Sequence, residues 1–124
     1  MIVADTDVLI DFLQGRDPSA ERVSRELERG MICTTAVSRF ELLAGARTAR
    51  QQQLVKKLVD SIPNLPLDAE GADRAADVRR ALEMRGEGIG MADSLIAGIA
   101  LIHKGSLLTR NRRHFERVVG LALA

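Results

Sequence analysis

The opening Ile2-Val3-Ala4-Asp5-Thr6-Asp7 constrains the fold more than any other stretch of the chain. Adjacent β-branched apolar residues read as a short strand covered on both faces, the pattern of a parallel sheet. Asp5 closes that strand, and Thr6 and Asp7 are residue types that start helices. Val8, Leu9 and Phe12 then supply an apolar helical stripe. In open parallel α/β sheets, ligands bind just beyond the carboxyl ends of strands. Asp5 is placed at such an end, which makes it the first candidate for an acidic metal site.

The rest of the chain repeats the alternation. After a break at Gly15-Arg16-Asp17-Pro18, a helix is predicted over Ser19 to Arg29, with Val23 and Leu27 inward and Gly30 as its C-terminal cap. Met31 to Thr34 reads as a second strand, in which Cys33 is a small buried residue. Thr35 or Ser38 caps the next helix, with Val37, Phe40, Leu43 and Ala44 at helical spacing and Arg47 to Gln53 as a polar continuation. Leu54, Val55, Leu58 and Val59 mark another amphipathic helix. Leu65-Pro66-Leu67 suggests a short edge strand, since proline cannot donate to a ladder. A long helix follows from Asp68 to about Met84, with Ala72, Ala75, Ala76, Val78 and Leu82 near one face. The glycine-rich Arg85 to Gly90 is a loop without a preceding strand, not a phosphate cradle. Met91 to His103 is the most apolar helix, Ser106 to Thr109 a strand, Arg110 to Phe115 a turn and short helix, and the end of the chain a last edge strand. Strands alternating with helices predict an α/β fold, a three-layer α/β/α sandwich around a short, mostly parallel sheet.

Composition narrows the function classes. At 124 residues, one domain spanning residues 1–124 is expected. Three Phe and no Trp or Tyr almost exclude an aromatic base-stacking platform. A net charge of +1 favours no class of partner, although a local basic patch remains open. A single cysteine excludes an intramolecular disulfide and fits a reducing compartment. With no signal-peptide pattern and no apolar run near the ~20 residues that cross a bilayer, a cytoplasmic protein without membrane association is expected.

Three acids occupy unusually apolar settings: Asp5 at the end of the first strand, Glu41 in Phe40-Glu41-Leu42-Leu43, and Asp93 in Met91-Ala92-Asp93-Ser94-Leu95. Each helix start can lie near strand ends on one edge of the sheet, and the long Glu41 side chain can reach back. Carboxylates brought together repel unless a cation or protonation offsets them. A hard divalent ion, Mg²⁺ or Mn²⁺, suits such oxygen ligands and can activate water against a phosphodiester. Asp7 and Asp11 read as solvated or capping residues, and His114 as a surface residue. Near the end of the chain, Arg110, Arg112 and Arg113 are candidates to contact RNA phosphates.

Taken in order, Val3-Ala4-Asp5-Thr6-Asp7-Val8-Leu9-Ile10, Thr35-Ala36-Val37-Ser38-Arg39-Phe40-Glu41-Leu42, Gly90-Met91-Ala92-Asp93-Ser94-Leu95-Ile96-Ala97 and Leu108-Thr109-Arg110-Asn111 resemble the PIN-domain family, and within it the VapC-type toxins of bacterial toxin–antitoxin pairs. The resemblance implies a PIN-like fold and Mg²⁺- or Mn²⁺-dependent endoribonuclease activity, with Asp5, Glu41 and Asp93 holding the metal. It implies an RNA substrate, a homodimer and a cognate antitoxin that occludes the active groove. Where the family often carries a further acid, this chain has Asn111 and His114. The implied roles are then catalytic for Asn111, through water or substrate, and ordering of the site or RNA contact for Thr109.

Two other readings stand beside it. Asp5-Thr6-Asp7-Val8 also resembles the nucleophile motif of haloacid-dehalogenase-type phosphatases. That chemistry needs a downstream lysine and an acidic pair, where this chain offers Lys104 at a helix end and Asn111. The missing fourth acid alternatively suits a catalytically dead PIN fold retained for binding RNA or protein.

Overall fold

The computed structural model describes residues Met1–Ala124. Five strands, β1 (Ile2–Ala4), β2 (Ile32–Thr35), β3 (Asn64–Leu65), β4 (Ser106–Leu108) and β5 (Ala122–Leu123), form one parallel sheet in the order β3-β2-β1-β4-β5. The strand order reverses between β1 and β4, and a crevice opens at the carboxyl ends of strands where this happens. Ile2 pairs with Ile32 on one side and Ser106 on the other, and Val3 with Cys33 and Leu107. Even-numbered residues of the three central strands therefore share one face of the sheet and odd-numbered residues the other, since strand side chains alternate.

Helices α1 (Thr6–Gln14), α2 (Ser19–Glu28) and α4 (Ala49–Asp60) cover the even face, where Ala4, Val8, Leu9, Val23, Ile32 and Val59 are buried together. Helices α5 (Ala69–Met84), α6 (Met91–Ile102) and the short α7 (Arg112–Phe115) cover the odd face around Val3, Leu82, Ile96, Ile99, Leu107 and Phe115. Helix α3 (Ala36–Gly45) sits at the rim and feeds both layers, through Val37 and Leu42. The three-layer parallel arrangement is the architecture expected from the sequence. No helix is long and apolar enough to cross a membrane.

Several local expectations shift. Strand β2 begins at Ile32 and runs to Thr35, leaving Met31 47 % exposed. Strand β3 is Asn64–Leu65, ahead of Pro66 and on the sheet edge. The polar run after α3 is not its continuation. The chain breaks at Ala46 and restarts with a capping box, in which the Thr48 hydroxyl accepts from the Gln51 N–H and the Gln51 side chain accepts from the Thr48 N–H. Phe40, expected inward, is 70 % exposed, whereas Leu42 is buried. Helix α3 is turned by Ser38 and Glu41, which face α1 through hydrogen bonds, and Phe40 lies on the opposite side of the same turn. On α5 the buried positions are Gly71, Ala75, Val78 and Leu82; Ala72 and Ala76 face solvent.

The α5–α6 pair packs at close range. A Cβ placed on Gly98 would lie 2.6 Å from the Ala75 backbone nitrogen and 2.8 Å from its Cα. Those atoms belong to a helix backbone and cannot swing aside. Gly98→Ala is therefore expected to destabilise the chain by about 2–3 kcal/mol through overpacking. Urea unfolding should show a lower midpoint at unchanged slope, and a native midpoint would mean that Gly98 does not set the helix spacing.

Candidate metal centre

The crevice between the ends of β1 and β4 holds Asp5, which is only 4 % exposed. Its position follows from the local sequence. The Asp5 N–H donates to Leu108 O at 2.9 Å, and its Oδ1 caps α1 by accepting the Thr6 N–H at 2.8 Å. Across the strand-order reversal, Thr109 donates its hydroxyl proton to Asp5 Oδ2 at 2.7 Å. Both oxygens are held, yet no cation pairs with this carboxylate. Burial first, and then the nearby charges of Asp7 and Asp93, push its pKa from 3.8 up to about 6, against the lowering effect of the Thr109 and Thr6 hydrogen bonds.

Glu41 reaches back from the middle of α3. Its Oε1 lies 2.6 Å from Thr6 Oγ1, which is also 2.9 Å from Ser38 Oγ. A hydroxyl has one proton, so the Thr6 proton goes to the carboxylate and Ser38 donates in turn. Asp93 lies in the first turn of α6. Its Oδ2 is 3.3 Å from His114 Nδ1, and His114 Nδ1 is 3.0 Å from the Asn111 side-chain amide. The Asn111 N–H donates to Thr109 Oγ1 at 2.9 Å. One hydrogen-bonded path thus runs from Glu41 through Thr6, Asp5, Thr109, Asn111 and His114 to Asp93. The path joins the three acids, but no three acidic or histidine side chains converge closely enough to ligate one ion directly.

Other residues depart from their expected places. Thr109 is buried behind Asp5 and orders it; it has no free face for RNA. Arg110 is tied to α1 twice. Its N–H donates to Asp7 Oδ2 at 3.0 Å and its guanidinium pairs with Asp11 Oδ2 at 2.8 Å. Arg112 donates to the Ala124 carbonyl oxygen at 2.9 Å, while Arg113 is exposed. Asp11 is accordingly not solvated, being 4 % exposed, while Asp7 is half-buried, and together they dock the loop after β4. Burial also raises the pKa of Asp7, whose Oδ1 is buried with no hydrogen-bond partner. Arg39 turns away from Glu41 to Asp60 and Asn64. His114 is exposed as expected, but it touches Asp93. The sequence signals for these roles were slight: the Asp7/Asp11 spacing of one helical turn and the Asn111/His114 spacing of three residues. Lys104 precedes β4, at the end of the strand opposite the crevice, where it cannot serve phosphatase chemistry at Asp5.

An orphaned buried carboxylate oxygen, an adjacent carboxylate with a raised pKa and an all-oxygen donor set fit a hard divalent cation. Such an ion, Mg²⁺ above all, keeps several waters and needs only one or two carboxylates directly, so a looser acidic cluster suffices.

The PIN domain family profile matches residues 2–121 of this chain. The chain is 31 % identical to the tRNA(fMet)-specific endonuclease VapC of Shigella flexneri over 121 residues, covering 94 % of this chain and 91 % of that one. It is 34 % identical to Ribonuclease VapC10 of Mycobacterium tuberculosis over 115 residues, covering 93 % and 86 %. Among solved structures, VapBC-1 from nontypeable Haemophilus influenzae superposes with a TM-score of 0.81 at 26 % identity, over 100 % of this chain and 97 % of that one.

The raised Asp5 pKa has a consequence for stability without metal. Folding favours the protonated form, so the linked stability is full below pH ~4 and lost as pH rises through about 6. About two pKa units at 1.36 kcal/mol each make a charged Asp5 cost ~3 kcal/mol near neutrality. Asp5→Asn in EDTA at pH 7.5 should therefore raise unfolding stability by ~1–3 kcal/mol, part of the gain being offset by the amide's imperfect fit to two donors. Denaturant titration checks this, and no gain would contradict the crowding of charge around Asp5.

Proposed function

Because the chain belongs to the PIN-domain family, and within it to the VapC-type ribonucleases, we propose that it is a divalent-metal-dependent endoribonuclease, the toxin of a toxin–antitoxin pair. The observation that carries the site is the buried Asp5, crowded by Asp7 and Asp93 with no cationic partner, at the crevice where the strand order reverses. In this reading residues 1–124 form a single PIN-like nuclease domain, and Asp5, Glu41 and Asp93 hold Mg²⁺ or Mn²⁺, one or two of them directly and the rest through the ion's own waters. When bound, the ion supplies Lewis-acid polarisation of the phosphodiester and activation of water.

The chain's own residues set the geometry. Thr109 and the Thr6 N–H keep both Asp5 oxygens in place, and Thr6 keeps Glu41 on the same side. The Arg110 clamp on Asp7 and Asp11 holds the loop that carries Thr109 and Asn111. That clamp makes Arg110 a structural residue first and leaves the exposed Arg113 the freest of the three arginines to meet an RNA phosphate. Asn111 contacts substrate or its water.

The partners in this reading are RNA, a cognate antitoxin and a second copy of the chain, in the cytoplasm. An apolar groove of about 310 Å³, lined by Ile10, Leu13, Leu42, Leu54 and Val55, opens beside Glu41 and suits the antitoxin. Phe40, Met84 and Met91, 70, 88 and 67 % exposed, offer apolar surface for protein contacts.

RNA cleavage with added Mg²⁺ or Mn²⁺ tests the proposal. The native chain should cleave, while Asp5→Ala and Asp93→Ala should lose at least ~10²-fold in rate, the scale on which removing one preorganised electrostatic group acts. Equal cleavage by all three would overturn the assignment, and so would an inert native chain.

A further inference from the structure

Of the three acids in the proposed metal site, two are held from behind by threonines: Asp5 by Thr109, and Glu41 by Thr6. Asp93 has no such hydroxyl. Its one side-chain partner is His114, whose Nδ1 lies 3.3 Å from Asp93 Oδ2. The same nitrogen lies 3.0 Å from the Asn111 amide, with the amide nitrogen placed towards the ring.

The two contacts demand opposite tautomers. A neutral imidazole nitrogen either donates or accepts, whereas an ionised carboxylate only accepts. If the Asn111 NH₂ donates to Nδ1, the ring turns a lone pair towards the Asp93 carboxylate. If Nδ1 carries the proton, it makes a charge-assisted bond to Asp93, roughly twice as strong as a neutral one. Nδ1 then has no lone pair to accept from the Asn111 NH₂, so the amide turns its nitrogen outward, with its oxygen on the side of the Nδ1–H that Asp93 holds. Amide oxygen and nitrogen are distinguished by such networks, and here the charge on Asp93 decides.

We propose that His114 is the positioning residue for Asp93. Its Nδ1–H holds the carboxylate in place for the cation and, through the same tautomer, turns the Asn111 NH₂ outward to donate to a phosphate oxygen of the RNA. Asn111 thus serves as a substrate donor, not as a replacement for a fourth acidic ligand. The proposal rests on the metal-dependent reading of this site. Partners of this kind, one bond behind a metal ligand, typically change metal affinity 10–100-fold when removed. His114 and Asp93 are 51 and 26 % exposed at the side chain, so replacements of His114 do not open the core.

Two measurements on the full chain test it. Long-range ¹⁵N–¹H NMR in EDTA at pH 8 should show the Nδ1–H tautomer of His114, and the Nε2–H tautomer would overturn the proposal. Binding of Mn²⁺ alone, without RNA, should weaken ~10-fold or more in His114→Ala, stay weak in His114→Gln, and return to within ~3-fold of native in His114→Asn, whose amide can stand where Nδ1–H stood. Unchanged Mn²⁺ affinity in His114→Ala, alongside weakened binding in Asp93→Asn, would overturn the role of His114 alone. Native-like binding in Asp93→Asn, or no binding by the native chain, would overturn the metal site and this proposal with it.

Discussion

A carboxylate buried at the end of the central strand is the constraint on which the rest of this structure turns. Removing Asp5 from water opposes its charge, and Asp7 and Asp93 oppose it further. The chain answers with hydrogen-bond donors and not with a counter-charge: the Thr6 N–H at one oxygen and the Thr109 hydroxyl at the other. A salt bridge there would neutralise the site, whereas donors of this kind orient the carboxylate and leave its charge available to a cation. Local stability is given up to hold an oriented, crowded carboxylate, as the proposed cation-binding role requires.

That arrangement requires the two strands flanking the strand-order reversal to meet in register, and much of the packing serves this end. Val3 and Leu107 are both completely buried on the odd face, where the α5–α6 pair lies against the sheet. On the even face, α1 carries Asp7 and Asp11, one turn apart, which grip the backbone and side chain of Arg110. The loop after β4 is thereby fastened to the helix after β1. Thr109 meets Asp5 because Arg110 is held, and Asn111 meets His114 because Asn111 immediately precedes the short α7 and His114 lies within its single turn.

Elements defined by local pattern were legible in the sequence. The first strand, the long α5 and the apolar α6 follow from runs and periods that need no tertiary information. Elements set by polar contacts were not. Helix α3 looked as if it should bury Phe40, because hydropathy cannot foresee that Ser38 and Glu41 would be turned inward by a hydroxyl on another helix. The restart of α4 was written in the Thr48–Gln51 capping box, but the polar composition around it read as an uninterrupted helix. Arg110 looked like a free cation because its acidic partner lies 99 positions earlier in the chain.

By itself the sequence determined the strand–helix alternation, the apolar residues that cover both faces of the sheet, and the three acids in apolar settings, Asp5 and Asp93 at helix starts and Glu41 further along its helix. Those properties depend on neighbours a few residues apart. Only the tertiary structure decided what each acid touches, that Thr109 serves Asp5, and that His114 lies against Asp93. Hydrogen bonds between distant segments depend on distance and direction in space, and neither is encoded in local hydropathy or charge.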